Sequence, residues 1–211
     1  MFEFHDVQQN TDAWEALRIG KVTNSNAGLF MANLGKAFGE PAQRYALKVA
    51  LEQINGAKSS NGYSNEHMER GHEQEPVARM LYQEETFSVV TNGGFFCWGN
   101  HGDSPDGLVG ARGVIEIKSV IDTTHYATVK RGKFDPAYKW QLIGHLDCTG
   151  RDWVDFVSYC ADFPVGSQLF IDRLTREEYA EEISAIRARR AEFLELVASV
   201  KREIENYRAA A

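Results

Sequence analysis

The sequence contains few cysteines, no long apolar run and no basic segment at its start. Its three cysteines, Cys97, Cys148 and Cys160, are odd in number and widely spaced. They exclude a Cys-x-x-Cys zinc or iron–sulfur site and indicate a reducing compartment. No run of about 18 apolar residues occurs, so no transmembrane helix is expected. The first ten residues, MFEFHDVQQN, lack the basic region of a secretory signal.

The sequence also lacks an excess of positive charge. It has 23 lysines and arginines against 30 aspartates and glutamates, which gives a net charge of −7. This balance argues against a protein that passively coats nucleic acid, because such proteins are usually basic. An enzyme that acts on nucleic acid stays possible, since carboxylates that hold a divalent cation make the bare chain acidic. A small basic groove can also lie on an acidic body.

The organisation of the chain favours one compact domain over residues 1–211, because no linker or internal repeat is present. Helical patterns dominate up to about residue 85, strands and helices alternate in a core of about 72–172, and a final helix covers about 175–207. This order predicts an α/β fold in which a central mixed β-sheet is flanked by helices.

Three local signals give testable details of this fold. Asn92-Gly93-Gly94 lies between two strand-like runs and predicts a β-hairpin. Pro76 predicts that the helix over residues 66–85 either begins near Glu73 or is kinked there, since proline is tolerated only in the first turn. Thr175-x-x-Glu178 has the form of a capping box that opens the final helix.

The most informative stretch joins the turn Ser104-Pro105-Asp106-Gly107 to the run from Val114 to Lys118. Alternate residues of a strand point to one face, so Glu116 and Lys118 should emerge together. Asp106 lies one hairpin turn earlier, which can bring its carboxylate beside Glu116. Two carboxylates suit a hard divalent cation such as Mg²⁺, and a lysine beside them can orient an attacking water or stabilise charge on a phosphate.

Each part of this pattern is weak by itself. A Glu-x-Lys alternation is common on half-exposed strands, and Ser-Pro-Asp-Gly is most often only a turn. The combination is more informative, because a glutamate and a lysine in so apolar a strand need a reason to be there. Lys130 and Arg131 form part of a basic stretch that is either a solvated helix end or a contact to the DNA backbone.

Five ordered sequence blocks carry a resemblance to a known family. The sequence resembles the metal-dependent nucleases of the PD-(D/E)xK superfamily and, within them, the lambda exonuclease or YqaJ-like viral recombinase family. The blocks are Trp14-Glu15-Ala16-Leu17-Arg18-Ile19-Gly20 followed by Thr23 and Ser25, Gly71-His72-Glu73-Gln74-Glu75 with Ala78, Ser104-Pro105-Asp106-Gly107, Glu116-Ile117-Lys118, and Tyr138-x-x-Gln141. One departure is Ile143, which stands where the family often has a second glutamine.

The resemblance implies a role for each matching position. The implied catalytic residues are Glu75, Asp106, Glu116, Lys118 and Gln141. The implied metal ligands are Asp106, Glu116, the main-chain carbonyl of Ile117, and Glu75, which is preferred over Glu73 on the alignment of the motif. The implied contacts to a 5′-terminal phosphate are Arg18, Ser25 and Ser104.

The resemblance further implies a Mg²⁺-dependent exonuclease, with Mn²⁺ as a substitute, that degrades one strand of linear double-stranded DNA from a phosphorylated 5′ end. Relatives do this to make 3′ overhangs for a single-strand annealing protein, and they form a ring of three subunits. The implied setting is the cytoplasm of a bacterial host, with a phage or prophage gene and no membrane contact.

Two alternatives stay open at the level of sequence. An endonuclease of the restriction or repair type would not need the 5′-phosphate pocket and would cut closed circles. A non-catalytic DNA-binding module would have no reason to keep the whole set of acidic-site residues.

Overall fold

The computed structural model describes residues 3–59 and 66–210. The turn-forming residues of the polar stretch at residues 57–65 predict a loop, and this stretch lies mostly outside the described residues. Within the described residues the helices are α1 (Asp12–Arg18), α2 (Ala27–Met31), α3 (Glu40–Asn55), α4 (Glu66–Thr86), α5 (Asp122–Arg131), α6 (Lys139–Thr149) and α7 (Ala180–Ala210), with short 3₁₀ turns at Asn24–Asn26 and Pro136–Tyr138. The strands are β1 (Glu3–His5), β2 (Val22–Thr23), β3 (Val90–Asn92), β4 (Phe95–Trp98), β5 (His101–Asp103), β6 (Gly107–Val109), β7 (Gly113–Ser119), β8 (Trp153–Tyr159) and β9 (Leu169–Thr175).

The strands form two mixed sheets. A five-stranded sheet has the order β3-β6-β7-β8-β9, in which only β7 and β8 are parallel. A four-stranded sheet has the order β1-β4-β5-β2, in which only β2 and β5 are parallel. The predicted α/β class with a mixed sheet between helices is confirmed, and the smaller sheet is an addition that the sequence pattern did not reveal.

Strand β7 is the centre of the five-stranded sheet and is buried on both faces. Val114 packs into the larger apolar cluster, which includes residues of α6 and α7. Ile115 and Ile117 point the other way, into a second cluster with Ala78 and Tyr82 of α4. The alternation follows from the two-residue period of a strand. Glu116 and Lys118 therefore lie on the α6 side of the sheet.

The predicted hairpin at Asn92-Gly93-Gly94 is wrong. Strand β3 pairs with β6 in the larger sheet, whereas β4 pairs with β1 and β5 in the smaller one. The two glycines let the chain cross between the sheets: a Cβ on Gly93 would lie 1.7 Å from the carbonyl oxygen of Pro105, and Gly94 has φ of +60°. Glycine is required here by close approach and a left-handed backbone, not by a hairpin turn.

Two helix predictions have mixed outcomes. Helix α4 runs through Pro76 from Glu66, so of the two predicted alternatives the start near Glu73 is wrong, and a kink there stays a prediction. Ala78 and Tyr82 are fully buried beyond the proline, and this packing compensates for the lost backbone hydrogen bond. The predicted cap at Thr175 is present in part: its hydroxyl accepts from the backbone N–H of Glu178 at 3.2 Å, and regular helix follows from Ala180.

None of the helices in the described ranges combines the length and apolarity needed to cross a membrane.

Candidate active site

The carboxylate of Glu116, on β7, is the centre of a buried hydrogen-bond network. Oε1 accepts from Nζ of Lys118 at 2.5 Å and from Nε2 of Gln141 at 2.5 Å, and Oε2 pairs with Nε2 of His145 at 2.8 Å. Each carboxylate oxygen has about two lone pairs, so Oε2 still has one to offer. Burial raises the pKa of Glu116, but Lys118 and His145 outweigh it and bring the pKa to about 2. The residue is therefore an anion with a free lone pair.

Helix α6 supplies the polar side chains that face Glu116. Gln141 and His145 are four residues apart, so both project from the same side of the helix. Its second turn is held in place by apolar packing, since Leu142, Ile143 and Leu146 are buried in the larger cluster. Ile143 thus fills a core position where the family often has a second glutamine.

His145 bridges two buried carboxylates. Its Nε2 meets Oε2 of Glu116 and its Nδ1 meets Oδ2 of Asp103, each at 2.8 Å. Burial lowers the pKa of His145, but the carboxylates of Asp103 and Glu116 raise it by more than this, to about 10. An imidazolium donates from both nitrogens, which matches the two contacts. No sequence motif predicts a role for His145, although its four-residue spacing from Gln141 places both side chains on one side of the helix.

Asp106 enters the same site from the turn before β6. Its backbone N–H donates to the carbonyl of Ile115 at 3.1 Å, and its Oδ2 accepts from the backbone N–H of Ile117 at 2.6 Å. These bonds fix the carboxylate against β7. Burial, together with the charges of Glu116 and Glu75, raises the pKa of Asp106 well above its usual range.

Helix α4 contributes Glu75, whose Oε1 accepts from Arg79 at 2.9 Å. Arg79 also donates to the backbone carbonyl of Asp106 and so ties the helix to the turn. Glu73 is exposed, whereas Glu75 is half-buried and acts on the pKa of Asp106. The geometry thus brings Glu75, rather than Glu73, to the acidic cluster.

The charges of the cluster fit a divalent cation. The imidazolium of His145 and the ammonium of Lys118 compensate the carboxylates of Asp103 and Glu116. Asp106 is left with two carboxylates nearby and a raised pKa. A cation bound by oxygens would remove this repulsion, and the carboxylates of Asp106 and Glu116 are ligands of the kind that Mg²⁺ takes.

A second group of side chains surrounds Trp14. The indole Nε1 donates to Oγ of Ser104 at 2.6 Å, and Ser104 in turn donates to the carbonyl of Gly94 at 2.9 Å. The guanidinium of Arg18 lies 4.0 Å from the centre of the Trp14 ring. No ion pair of Arg18 is found within residues 3–59 and 66–210, and burial lowers its pKa. Such a guanidinium favours the approach of an anion.

Within the described residues, Ser25 and the basic stretch belong to neither of these two hydrogen-bonded groups. Ser25 is exposed in the 3₁₀ turn, with its Oγ 3.1 Å from Oγ1 of Thr23. Lys130 and Arg131 are exposed at the end of α5, and their side chains make no contact to the acidic cluster among the residues described. Lys139, farther along the same basic stretch, is paired with Glu182 of α7 at 3.1 Å and is less available to DNA.

The sequence and the fold of this chain are similar to those of known nucleases. A family model for the YqaJ-like viral recombinase domain matches residues 13–152, and no curated protein matches the chain. The chain is 36% identical to an alkaline exonuclease (LHK-Exo) from Laribacter hongkongensis, with a TM-score of 0.78 over 93% of this chain and 100% of that one. A structure of that exonuclease in complex with dAMP gives 35% identity and a TM-score of 0.77 over the same shares.

A phage-related exonuclease from Haemophilus somnus 129PT shares the fold at 14% identity, with a TM-score of 0.70 over 87% of this chain and 96% of that one. The family match covers more than half of the chain and spans the whole acidic cluster from Glu75 to His145. The chain therefore belongs to the YqaJ-like viral recombinase family.

Proposed function

We propose that this protein is a Mg²⁺-dependent exonuclease that digests one strand of linear double-stranded DNA from the 5′ end and leaves 3′ overhangs. That the chain is a nuclease follows from its family and from its 36% identity to an alkaline exonuclease over 93% of its length. The dAMP bound to that relative supports a deoxynucleotide substrate. The observation that carries the proposal is the buried cluster in which Asp106, Glu116, Lys118 and Gln141 converge.

The acidic cluster is proposed to hold the metal and to organise the attack on phosphate. Asp106, Glu116 and the carbonyl of Ile117 would be ligands, with Glu75 completing the acidic side. When bound, Mg²⁺ supplies Lewis-acid stabilisation of a phosphate oxygen and a more acidic water, and Mn²⁺ can substitute for it. Lys118, held at Glu116, would orient the attacking water or stabilise the charge that develops on the phosphate. Gln141 holds Oε1 of Glu116, which leaves Oε2 for the cation.

The group around Trp14 is proposed to bind the 5′-terminal phosphate. Arg18 supplies a permanent positive charge and Ser25 a hydroxyl donor, while the hydroxyl of Ser104 would turn from the carbonyl of Gly94 to donate to the phosphate. A short segment couples this pocket to the acidic cluster: Asp103 contacts His145, Ser104 contacts Trp14, and Asp106 lies two residues later. A phosphate held at Ser104 would therefore be fixed relative to the metal ligands.

The wider setting is proposed as well. A ring of three subunits would keep an acidic protein on a polyanion through many cycles, and Lys130 and Arg131 are candidates for contacts to the duplex. We expect a single nuclease domain over residues 1–211, a single-strand annealing protein as partner, and a phage or prophage gene expressed in the bacterial cytoplasm.

The test is digestion of linear duplex DNA with 5′-phosphate or 5′-hydroxyl ends, beside a covalently closed circle, with Mg²⁺ or with EDTA. We expect rapid loss of the 5′-phosphorylated linear DNA, slower loss of the 5′-hydroxyl DNA, an intact circle, and no digestion in EDTA. Cleavage of the circle would favour an endonuclease of the restriction or repair type. Binding without digestion in Mg²⁺ or Mn²⁺ would indicate a DNA-binding module.

A further inference from the structure

The smaller sheet carries a cluster of metal-ligating side chains that is separate from the acidic site. Glu3 and His5 lie on β1, and Cys97 lies on β4, directly opposite Glu3 in the antiparallel register. His5 is two residues after Glu3, so both side chains project from the same face of the strand. The acidic cluster, by contrast, is built on β7 of the larger sheet.

The three side chains converge closely. Nε2 of His5 lies 3.4 Å from Oε1 of Glu3, Sγ of Cys97 lies 3.6 Å from Nε2 of His5, and Sγ lies 3.8 Å from Oε2 of Glu3. Zinc bonds of about 2.3 Å to sulfur and about 2.0–2.1 Å to nitrogen or oxygen, at tetrahedral angles, require ligand separations of about 3.3–3.6 Å. The separations of His5 Nε2 from Oε1 of Glu3 and from Sγ of Cys97 match that geometry, and one ligand atom from each of the three residues lies within 4.8 Å of the others.

We propose that Glu3, His5 and Cys97 form a Zn²⁺ site that links β1 to β4 within the smaller sheet. Thiolate and imidazole are ligands that Zn²⁺ takes readily, while Mg²⁺ prefers oxygen alone. One thiolate and one carboxylate neutralise the charge of the ion. The three side chains leave a fourth position for water, and Glu3 is well exposed, so solvent can reach the ion.

Binding of Zn²⁺ exchanges a proton for the metal. Burial raises the pKa of the Cys97 thiol, so without metal its S–H donates toward Glu3. Zinc would form a bond to the sulfur and release this proton to solvent, with no change of oxidation state.

Zinc binding is expected to hold strand β1 in place against β4. Strand β1 has three residues and, in the part of the chain that the structure describes, pairs with β4 alone. A Cβ at Gly94, just before β4, would lie 2.5 Å from the carbonyl oxygen of His5, and the carbonyl of Gly94 accepts from Ser104. A metal that holds β1 against β4 would thus also steady the strand beside Ser104.

The test uses tag-free protein that is stripped with EDTA and transferred to excess Mg²⁺, so that oxygen sites are filled. Co²⁺ is titrated as a spectroscopic substitute, and the thiolate-to-cobalt absorption band is recorded. We expect the band to saturate at one Co²⁺ per chain and to disappear when Zn²⁺ is added. Cys97→Ser should abolish it, whereas Cys160→Ser, which removes a buried thiol elsewhere, should retain it.

His5→Gln and Glu3→Gln provide a second test, because both side chains lie nearer the surface and their replacement should leave the fold intact. Each should weaken Zn²⁺ binding at least about tenfold, since loss of even an outer-shell partner costs about 10–100-fold. Zinc should also raise the melting temperature of the wild type but not of these variants. No charge-transfer band in the wild type, or an equal band in Cys97→Ser, would overturn the proposal.

Discussion

Replacing His145 with alanine is expected to cost about 3–5 kcal/mol of unfolding free energy, the typical penalty for removing one partner of a buried ion pair. The residue is fully buried between Asp103 and Glu116, which are 1% and 2% exposed. His145 pairs with two carboxylates, but the loss of unfolding free energy should not be twice that of a single pair. The reason is that Glu116 keeps its hydrogen bonds from Lys118 and Gln141. An unpaired buried carboxylate also escapes part of the penalty by taking up a proton.

The assay is urea unfolding in EDTA, so that metal binding does not compensate for the loss. His125→Ala is the matched control: His125 is equally buried, its ring nitrogens pair with Ser158 and the carbonyl of Ser167, and its ring packs edge-on against Phe163 at 4.6 Å. We expect His125→Ala to lose less unfolding free energy than His145→Ala, because the hydrogen bonds that it removes are not part of an ion pair. In a double-mutant cycle, Asp103→Asn and His145→Gln should show a coupling of at least about 1 kcal/mol.

Activity gives a second readout of the same contact. His145→Gln can donate to one carboxylate but not to both, so Glu116 should be less well fixed and kcat should fall more than KM rises. A loss of stability below about 1 kcal/mol for His145→Ala, or one equal to the His125 control, would refute the idea that the bridge holds Glu116 in place.

The acidic site, the phosphate pocket and the assembly give four further expected outcomes. Lys118→Ala should reduce cleavage by about 10³ or more at unchanged fold, measured by release of soluble nucleotides, and near-normal activity would remove it from the mechanism. Glu75→Gln should lower the rate of cleavage far more than Glu73→Gln, and the reverse ranking would mean that Glu73, not Glu75, serves the acidic site. Arg18→Ala should reduce the ratio of the digestion rate of 5′-phosphorylated DNA to that of 5′-hydroxyl DNA. Equal rates for the two kinds of end in the wild type would contradict a 5′-phosphate pocket at Arg18. Light scattering should give a mass near three times 23.8 kDa, and a processive monomer would contradict the ring.

Much of the larger sheet could be predicted from local pattern. The alternation in Val114–Lys118 correctly identified β7, the face shared by Glu116 and Lys118, and the preceding hairpin to Asp106. These features depend on residues close in sequence and on the two-residue period of a strand, which is why periodicity revealed them.

The smaller sheet and the histidine bridge depend on distant residues. Strand β1 is three residues long and pairs with residues that are 90 to 94 positions away, so no local pattern distinguishes it. His145 meets Asp103 and Glu116 at sequence separations of 42 and 29 residues. The Gly93-Gly94 pair has the sequence pattern of a hairpin turn, but the structure requires glycine there for another reason. The backbone of Gly93 lies close to Pro105, and this contact exists only in the folded chain.

The most direct test of the proposed activity follows both ends of one DNA strand. A linear duplex with 5′ phosphates carries separate labels at the 5′ and 3′ ends of the same strand, and label release is timed in Mg²⁺ with the wild type and with Asp106→Ala. We predict that the wild type releases the 5′ label first and leaves the opposite strand intact as a 3′ overhang, while Asp106→Ala releases neither label. Release of the 3′ label first, internal nicks, or undiminished activity in Asp106→Ala would contradict a metal-dependent 5′-to-3′ exonuclease.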